Sequence, residues 1–196
     1  KNVTFTTAAS ISQLSTVDGF TTGTLTYTSI TDTAANLAAD AATNYGNGTY
    51  VAPAGVTTIT VSDAATIEQL RVIDAASTAT ISYTTIADTA ANLLEKQSNL
   101  TKVLARVGSP NLGAVDITDA FSVSNGLTIG ATPIANYISS GLRIKDDKDT
   151  ILSNQTALET LAASGKMRSL QASDMGDAEL KTTLNGSILT DLVFSS

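Results

Sequence analysis

The chain contains no cysteine, no histidine and no tryptophan, and aromatic residues make up only 5% of it. Without Cys or His there can be no disulfide, no thiolate or imidazole metal site, no cysteine nucleophile and no histidine base. Charge is sparse at 15%, and the 11 basic residues are outnumbered by 18 acidic ones, a net charge of −7 with a pI near 4.4. Such a surface repels phosphate backbones, so a nucleic-acid partner is not expected. No apolar run reaches transmembrane length and there is no basic amphipathic segment, so membrane insertion is not expected either. Catalysis is not expected, because no pair of carboxylates stands out in an apolar context.

What is present is an aliphatic chain of 196 residues that is 42% apolar, with a mean hydropathy of +0.14, which marks a folded chain. With few aromatics, the core must be built from Ala, Val, Ile and Leu, which suits thin, regularly stacked layers. Threonine occurs 32 times, 22 of them in the first hundred residues. Its branched Cβ favours strands there. The absence of Cys fits any redox compartment. Together with acidity and abundant Thr, Ala, Ser and Asn, it weighs toward export from a bacterial cell. Lys1–Ser10 is polar and does not read as a signal peptide; an initial Lys suggests a processed chain or a fragment, with any export signal outside it.

The dominant feature is an internal repeat. Residues 3–37 align without a gap to residues 59–93, an offset of 56 residues, and 18 of the 35 positions are identical, among them Tyr27/Tyr83, Asp32/Asp88 and Asn36/Asn92. Most substitutions keep polarity, as in Val17/Ile73 and Leu25/Ile81. A third copy starts on schedule at Val115-Asp-Ile-Thr-Asp119, then diverges; Leu142-Arg-Ile144 followed by Asp149-Thr150 resembles Ile81-Ser-Tyr83 followed by Asp88-Thr89. The expected units are 1–56, 57–113, a divergent 114–168 and a partial 169–196 that reads strand, helix, strand.

Each unit reads β-α-β-α. In the second, Thr58–Val61 alternates as a strand. Asp63 offers an N-cap to a helix from about Ala64 to Ala76, with Ile67, Leu70 and Ile73/Asp74 at helical spacing. Thr80–Ile86 follows as a strand with Ile81, Tyr83 and Thr85 on one face. Asp88 or Thr89 caps a second helix beginning Ala90-Ala91-Asn92-Leu93 and running to about Val107, where Gly108 and Pro110 stop it. In the first unit this helix ends near Tyr45-Gly46-Asn47-Gly48. Thr132-Pro133 starts a helix with Pro at the first helical position, and Asn154–Ser164 and Asp174–Leu184 are further helices closed by Gly165 and Asn185-Gly186. Strand–helix alternation of this kind implies parallel strands joined by crossovers. The fold class expected is α/β, with repeated β-α units forming a solenoid-like stack of parallel strands flanked by helices; an open doubly wound sheet is the alternative.

The strings Asp32-Thr-Ala-Ala-Asn-Leu37 and Asp88-Thr-Ala-Ala-Asn-Leu93, each after a Thr-rich strand and opening a helix, resemble repeats of giant secreted bacterial surface proteins. These include adhesins exported by the type I route and S-layer-like proteins, with related strings in phage virion proteins. The resemblance is strong over residues 3–93 and weak over 115–196. It implies a structural or adhesive segment at the cell surface, partnered by itself, by neighbouring repeats, or by a carbohydrate or cell-surface protein. It carries no catalytic residues and no cofactor. The glycine-aspartate nonapeptides of calcium rolls are missing, so it does not itself imply calcium.

Within the motif, Asp32 and Asn36, like Asp88 and Asn92, lie four apart and so can share a ligand. The simpler reading is that Asp or Thr caps the helix, the Ala pair packs on the sheet and Asn bonds neighbouring backbone. Asp146, Asp147 and Asp149 form the densest acidic cluster and are the candidate calcium ligands, although they lack the spacing and the turn glycine of an EF-hand. The preferred reading is a solvated strand-to-helix turn, in which Lys145 and Lys148 already offset the charge. Tyr27 and Tyr83 stack in a solenoid, where they serve either as core or as a platform for sugar rings. Ser164-Gly165-Lys166 lacks the preceding glycine loop of a phosphate-binding P-loop and reads as a helix C-cap.

Overall fold

The computed structural model describes residues 1–46, 48–95, 114–138 and 140–193. The expected continuation of the second-unit helix to Val107, with its stop at Gly108 and Pro110, lies outside these residues, as do Asn47 of the first-unit turn and the last three residues of the partial unit. The chain is α/β, with small parallel sheets. It divides into two compact units, one built on Lys1–Ala87, the other on residues 88–95 and 114–193.

In the first unit the elements are β1 (Val3–Thr4), α1 (Ile11–Phe20), β2 (Leu25–Thr26), β3 (Ser29–Asp32), α2 (Ala34–Ala41), the single turn α3 (Thr43–Gly46), β4 (Thr58–Val61), α4 (Ile67–Ala76), β5 (Thr80–Ser82) and β6 (Thr85–Asp88). Equivalent elements recur at the sequence offset of 56, with α1/α4 and β3/β6 matching at both ends. Pairing is parallel and follows chain order. β1 lies on β2, β3 on β4 and β4 on β5, with single parallel bridges Ala9–Ile30 and Ala65–Ile86. The register places Ile30 beside Ile59 and Ile59 beside Ile81. All three are buried, so one aliphatic ladder runs across the strands while Thr31 and Thr60 alternate away from it. Leu14, Leu37, Leu70 and Ile73 bring the helices onto the same core and are wholly buried.

Two expectations need correction here. The strand expected over Thr80–Ile86 is two short strands, because Tyr83 and Thr84 interrupt the pairing between β5 and β6. The helix expected from Ala64 under an Asp63 cap begins at Ile67, capped by Thr66. Thr66 Oγ1 accepts the Gln69 amide at 3.2 Å and Gln69 Oε1 accepts the Thr66 amide at 2.8 Å, a capping box that defines the start. Residues 63–65 stay outside the helix because Ala65 bonds both Thr85 and Ala87 through its backbone. Ser10 and Gln13 form the same box at α1.

In the second unit, helix α5 (residues 90–95) is followed by β7 (Ala114–Ile117), α6 (Val123–Gly130), a 3-10 helix (Pro133–Tyr137), β8 (Leu142–Asp146), α7 (Lys148–Ser153), α8 (Gln155–Ala163), β9 (Met167–Ala172), α9 (Asp177–Thr183) and a second 3-10 helix (Ile188–Leu192). β8 and β9 pair in parallel, and parallel bridges join Val115 to Ile138, Phe121 to Ile144 and Leu170 to Val193. The core again is a ladder of buried aliphatic residues, Ile144 beside Leu170. Helix α6 approaches β8 closely through Gly126, where a Cβ would lie 2.7 Å from Ile144 Cδ1. The Pro133 helix start and the Gly165 stop, at φ +72°, are as expected. The last α-helix starts at Asp177, three residues later than expected, because Asp174 is engaged elsewhere.

Candidate functional site

The Asp-Thr-Ala-Ala-Asn motif forms the same hydrogen-bonded turn in both copies. Thr33 and Thr89 are the N-caps, accepting the amides of Asn36 and Asn92 at 3.3 and 3.2 Å. Asp32 Oδ1 accepts the Thr33 amide and Asn36 Nδ2, both at 2.8 Å. Asp88 Oδ1 accepts the Thr89 amide at 2.8 Å and Asn92 Nδ2 at 2.6 Å. The asparagine therefore bonds the aspartate side chain, where neighbouring backbone was expected. Only the first alanine packs inward: Ala34 and Ala90 are buried, Ala35 and Ala91 exposed.

A second carboxylate reaches each of these turns from further along the chain. The Ala34 amide donates to Asp63 Oδ1 and the Ala90 amide to Asp119 Oδ1, each at 2.7 Å. Three more helices carry the same bond on their first amide: Ile11 to Asp32 Oδ2 at 2.8 Å, Val123 to Asp146 Oδ2 at 3.0 Å and Lys148 to Asp174 Oδ1 at 2.8 Å. The N-cap side chain satisfies the amide three residues into the helix, and an aspartate 21 to 29 residues downstream satisfies the first. Both donors would otherwise be orphaned, and a carboxylate there also meets the positive end of the helix dipole. The sequence reading missed this role for Asp63, Asp119 and Asp174; their recurrence at 55- to 56-residue intervals, one strand-end after another, is the signal that marks them.

The bonding also corrects the alignment of the third copy. Asp146 accepts the next amide and that of the preceding helix, as Asp32 does, while Asp147 is the N-cap, as Thr33 is. Asp146-Asp147, not Asp149-Thr150, stands in the place of Asp88-Thr89. The candidate calcium ligands are thus directed apart: Asp146 onto the amides of Val123 and Asp147, Asp147 onto the amide and hydroxyl of Thr150 at 2.8 and 2.7 Å, and Asp149, exposed, beside Lys148 at 3.4 Å. The Thr150 donors hold the Asp147 carboxyl below its ordinary range. Among the described residues no three acids gather as a metal-binding group.

Tyr27 and Tyr83 are both buried, as core residues, but their hydroxyls differ. Tyr27 donates to the Tyr50 carbonyl at 3.0 Å, whereas the Tyr83 hydroxyl has no hydrogen-bond partner among the described residues. Burial, with the Asp40 charge second, pushes Tyr27 up to about 12; burial alone does the same for Tyr83. Lys166 of the Ser-Gly-Lys string donates to the Gly130 carbonyl at 3.0 Å, satisfying the end of α6.

One concave feature lies on a sheet face. A groove of about 410 Å³ in the second unit is lined by Arg143, Lys145, Arg168, Ser169 and Gln171 around the backbone of Ile144 and Leu170. Its cations come from the outward positions of Leu142-Arg-Ile-Lys145, an alternation visible in the sequence, and from Arg168, which sits at a register shift in the pairing of β8 with β9. Arg143 is held by the carbonyls of Ile117 and Asp119 at 2.6 and 3.2 Å. Comparison with protein-family models, with curated proteins and with solved structures finds no match.

Proposed function

We propose that this chain is a structural, non-catalytic repeat segment of a large secreted or surface-displayed bacterial protein, a spacer or lattice element in which β-α units stack in solenoid fashion within each unit. The observation that carries this reading is the aspartate bond to the first amide of five helices, α1, α2, α5, α6 and α7. Each bond fixes one turn of chain to the next, so these five aspartates are committed to holding register. Chain-order parallel pairing and the Ile30–Ile59–Ile81 ladder fit the same role; nearest-neighbour stacking is what gives repeat proteins their stiffness. Partners are further copies or neighbouring repeats, at the cell surface, with calcium as the cation to test.

Solution mass measured by light scattering across protein concentration, in calcium and then in chelator, tests the proposal. Mass that grows with concentration or calcium supports a lattice or filament element. A calcium-indifferent monomer throughout would leave a passive spacer and remove self-assembly from the account. A second reading, a binding module, is favoured by the cationic groove on β8 and β9.

A further inference from the structure

We propose that the outward face of β8 and β9 binds a uronic-acid polysaccharide, with Arg143, Lys145 and Arg168 taking its carboxylates and Ser169 and Gln171 its hydroxyls. This goes beyond the structural role and does not depend on it. In a chain of net charge −7, the lining of this groove includes, among the described residues, three cations and no carboxylate. Lys145 and Arg168 are exposed, and neither side chain has a hydrogen bond or ion pair among the described residues. Their charges are therefore available to a ligand, unlike those of Arg71 and Lys148, which already face acids.

The register orders these groups. Arg143 stands beside Ser169 and Lys145 beside Gln171, so each rung offers one cation and one neutral hydrogen-bonding side chain. Residues two apart on a strand share a face, which repeats the pair along the strands. The shift between Leu142 and Arg143 leaves Arg168 without a partner across the ladder, and such bulges re-aim a side chain. Gly141, at φ +71°, makes room for it: a Cβ there would lie 3.1 Å from Arg168 Cβ. Arg143 is oriented by the carbonyls of Ile117 and Asp119. A guanidinium presents a planar fork to a carboxylate, and a volume of about 410 Å³ is within the range of small-ligand sites.

Charge complementarity selects an anion, and the alternation selects one that carries hydroxyls beside its carboxylates, as a uronic-acid ring does. Among the described residues no aromatic side chain lines the groove, so stacking of neutral sugars has no platform there. A second copy of the chain could offer only its other acids, since its aspartates 32, 63, 119, 146 and 174 are already bonded to its own helix amides.

The test is binding of polygalacturonate to the whole chain by calorimetry, with dextran, polyglutamate and duplex DNA as comparisons. Polygalacturonate is expected to bind, more weakly as salt rises, and the double variant Lys145→Glu, Arg168→Glu to lose at least tenfold in affinity with its far-ultraviolet dichroism unchanged. Both side chains are exposed and unpartnered, so the variant keeps its fold; should the dichroism change, Lys145→Gln with Arg168→Gln is read in its place. No binding of polygalacturonate, equal binding by the variant, or equal binding of dextran overturns the proposal. Equal or tighter binding of polyglutamate or DNA overturns it in favour of an acidic protein or a nucleic acid. None of these outcomes alters the light-scattering result expected of a lattice element.

Discussion

The amide of Ala34 donates a 2.7 Å hydrogen bond to Asp63, 29 residues further along the chain, and Ala90 and Asp119 repeat the bond with the same length and separation. A local cap alone would leave the first amide of the helix to water. Supplying the acceptor from the following turn makes the start of each of the five helices so bonded dependent on the placement of the next strand. Local helix formation and long-range register are thereby one event. Asp32 takes part twice, closing its own turn through Oδ1 and reaching back to Ile11 through Oδ2.

Replacing Leu70 by Ala is expected to cost about 2–5 kcal/mol, since the side chain is wholly buried in α4 and its removal leaves a cavity. Urea unfolding measures this; a midpoint unchanged within error would place Leu70 outside the core.

The repeat-related tyrosines should respond differently to loss of the hydroxyl. Tyr27→Phe removes the bond to the Tyr50 carbonyl and is expected to destabilise by about 0.5–1.5 kcal/mol. Tyr83→Phe removes a buried hydroxyl that has no partner among the described residues, so it should be neutral or stabilising. Equal losses in the two variants would contradict the difference between the sites.

Alkaline pH should destabilise the chain through the same pair. Both phenols are raised from 10.0 to about 12, so the folded state keeps the neutral form that the unfolded state begins to lose above the ordinary value. Their contribution is complete below pH 10 and disappears as pH rises toward about 12. Thermal melts across this range, followed with tyrosinate absorbance, should show the midpoint falling as these phenols ionise. A midpoint that does not change between the two values would contradict the burial assigned to them.

Much of this architecture was legible in the repeat. The 56-residue offset carries the matching elements α1/α4 and β3/β6, and the isoleucines at strand positions 30, 59 and 81 follow from alternation. Helix starts were less legible, because Asp63, an excellent N-cap by type, competes in sequence with Thr66 three residues later. The Gln69 side chain and the backbone pairing of Ala65 decide between them. The long-range role of Asp63 and Asp119 could not be read from local propensity, since their acceptor function is for helices that precede them by a whole turn of chain. The cationic groove escaped the reading because net charge averages over the surface, whereas Arg143, Lys145 and Arg168 depend on the pairing register of two strands.

Amide hydrogen exchange at Ala34 in the Asp63→Ala variant tests the central claim most directly. The account predicts faster exchange at Ala34 and the first turn of α2, a loss of about 0.5–2 kcal/mol, and no selective loss of protection at Ile67–Ala76; Asp119→Ala should do the same at Ala90. Protection lost instead at the start of α4, with Ala34 unchanged, would return Asp63 to a local cap and contradict the coupling between successive turns.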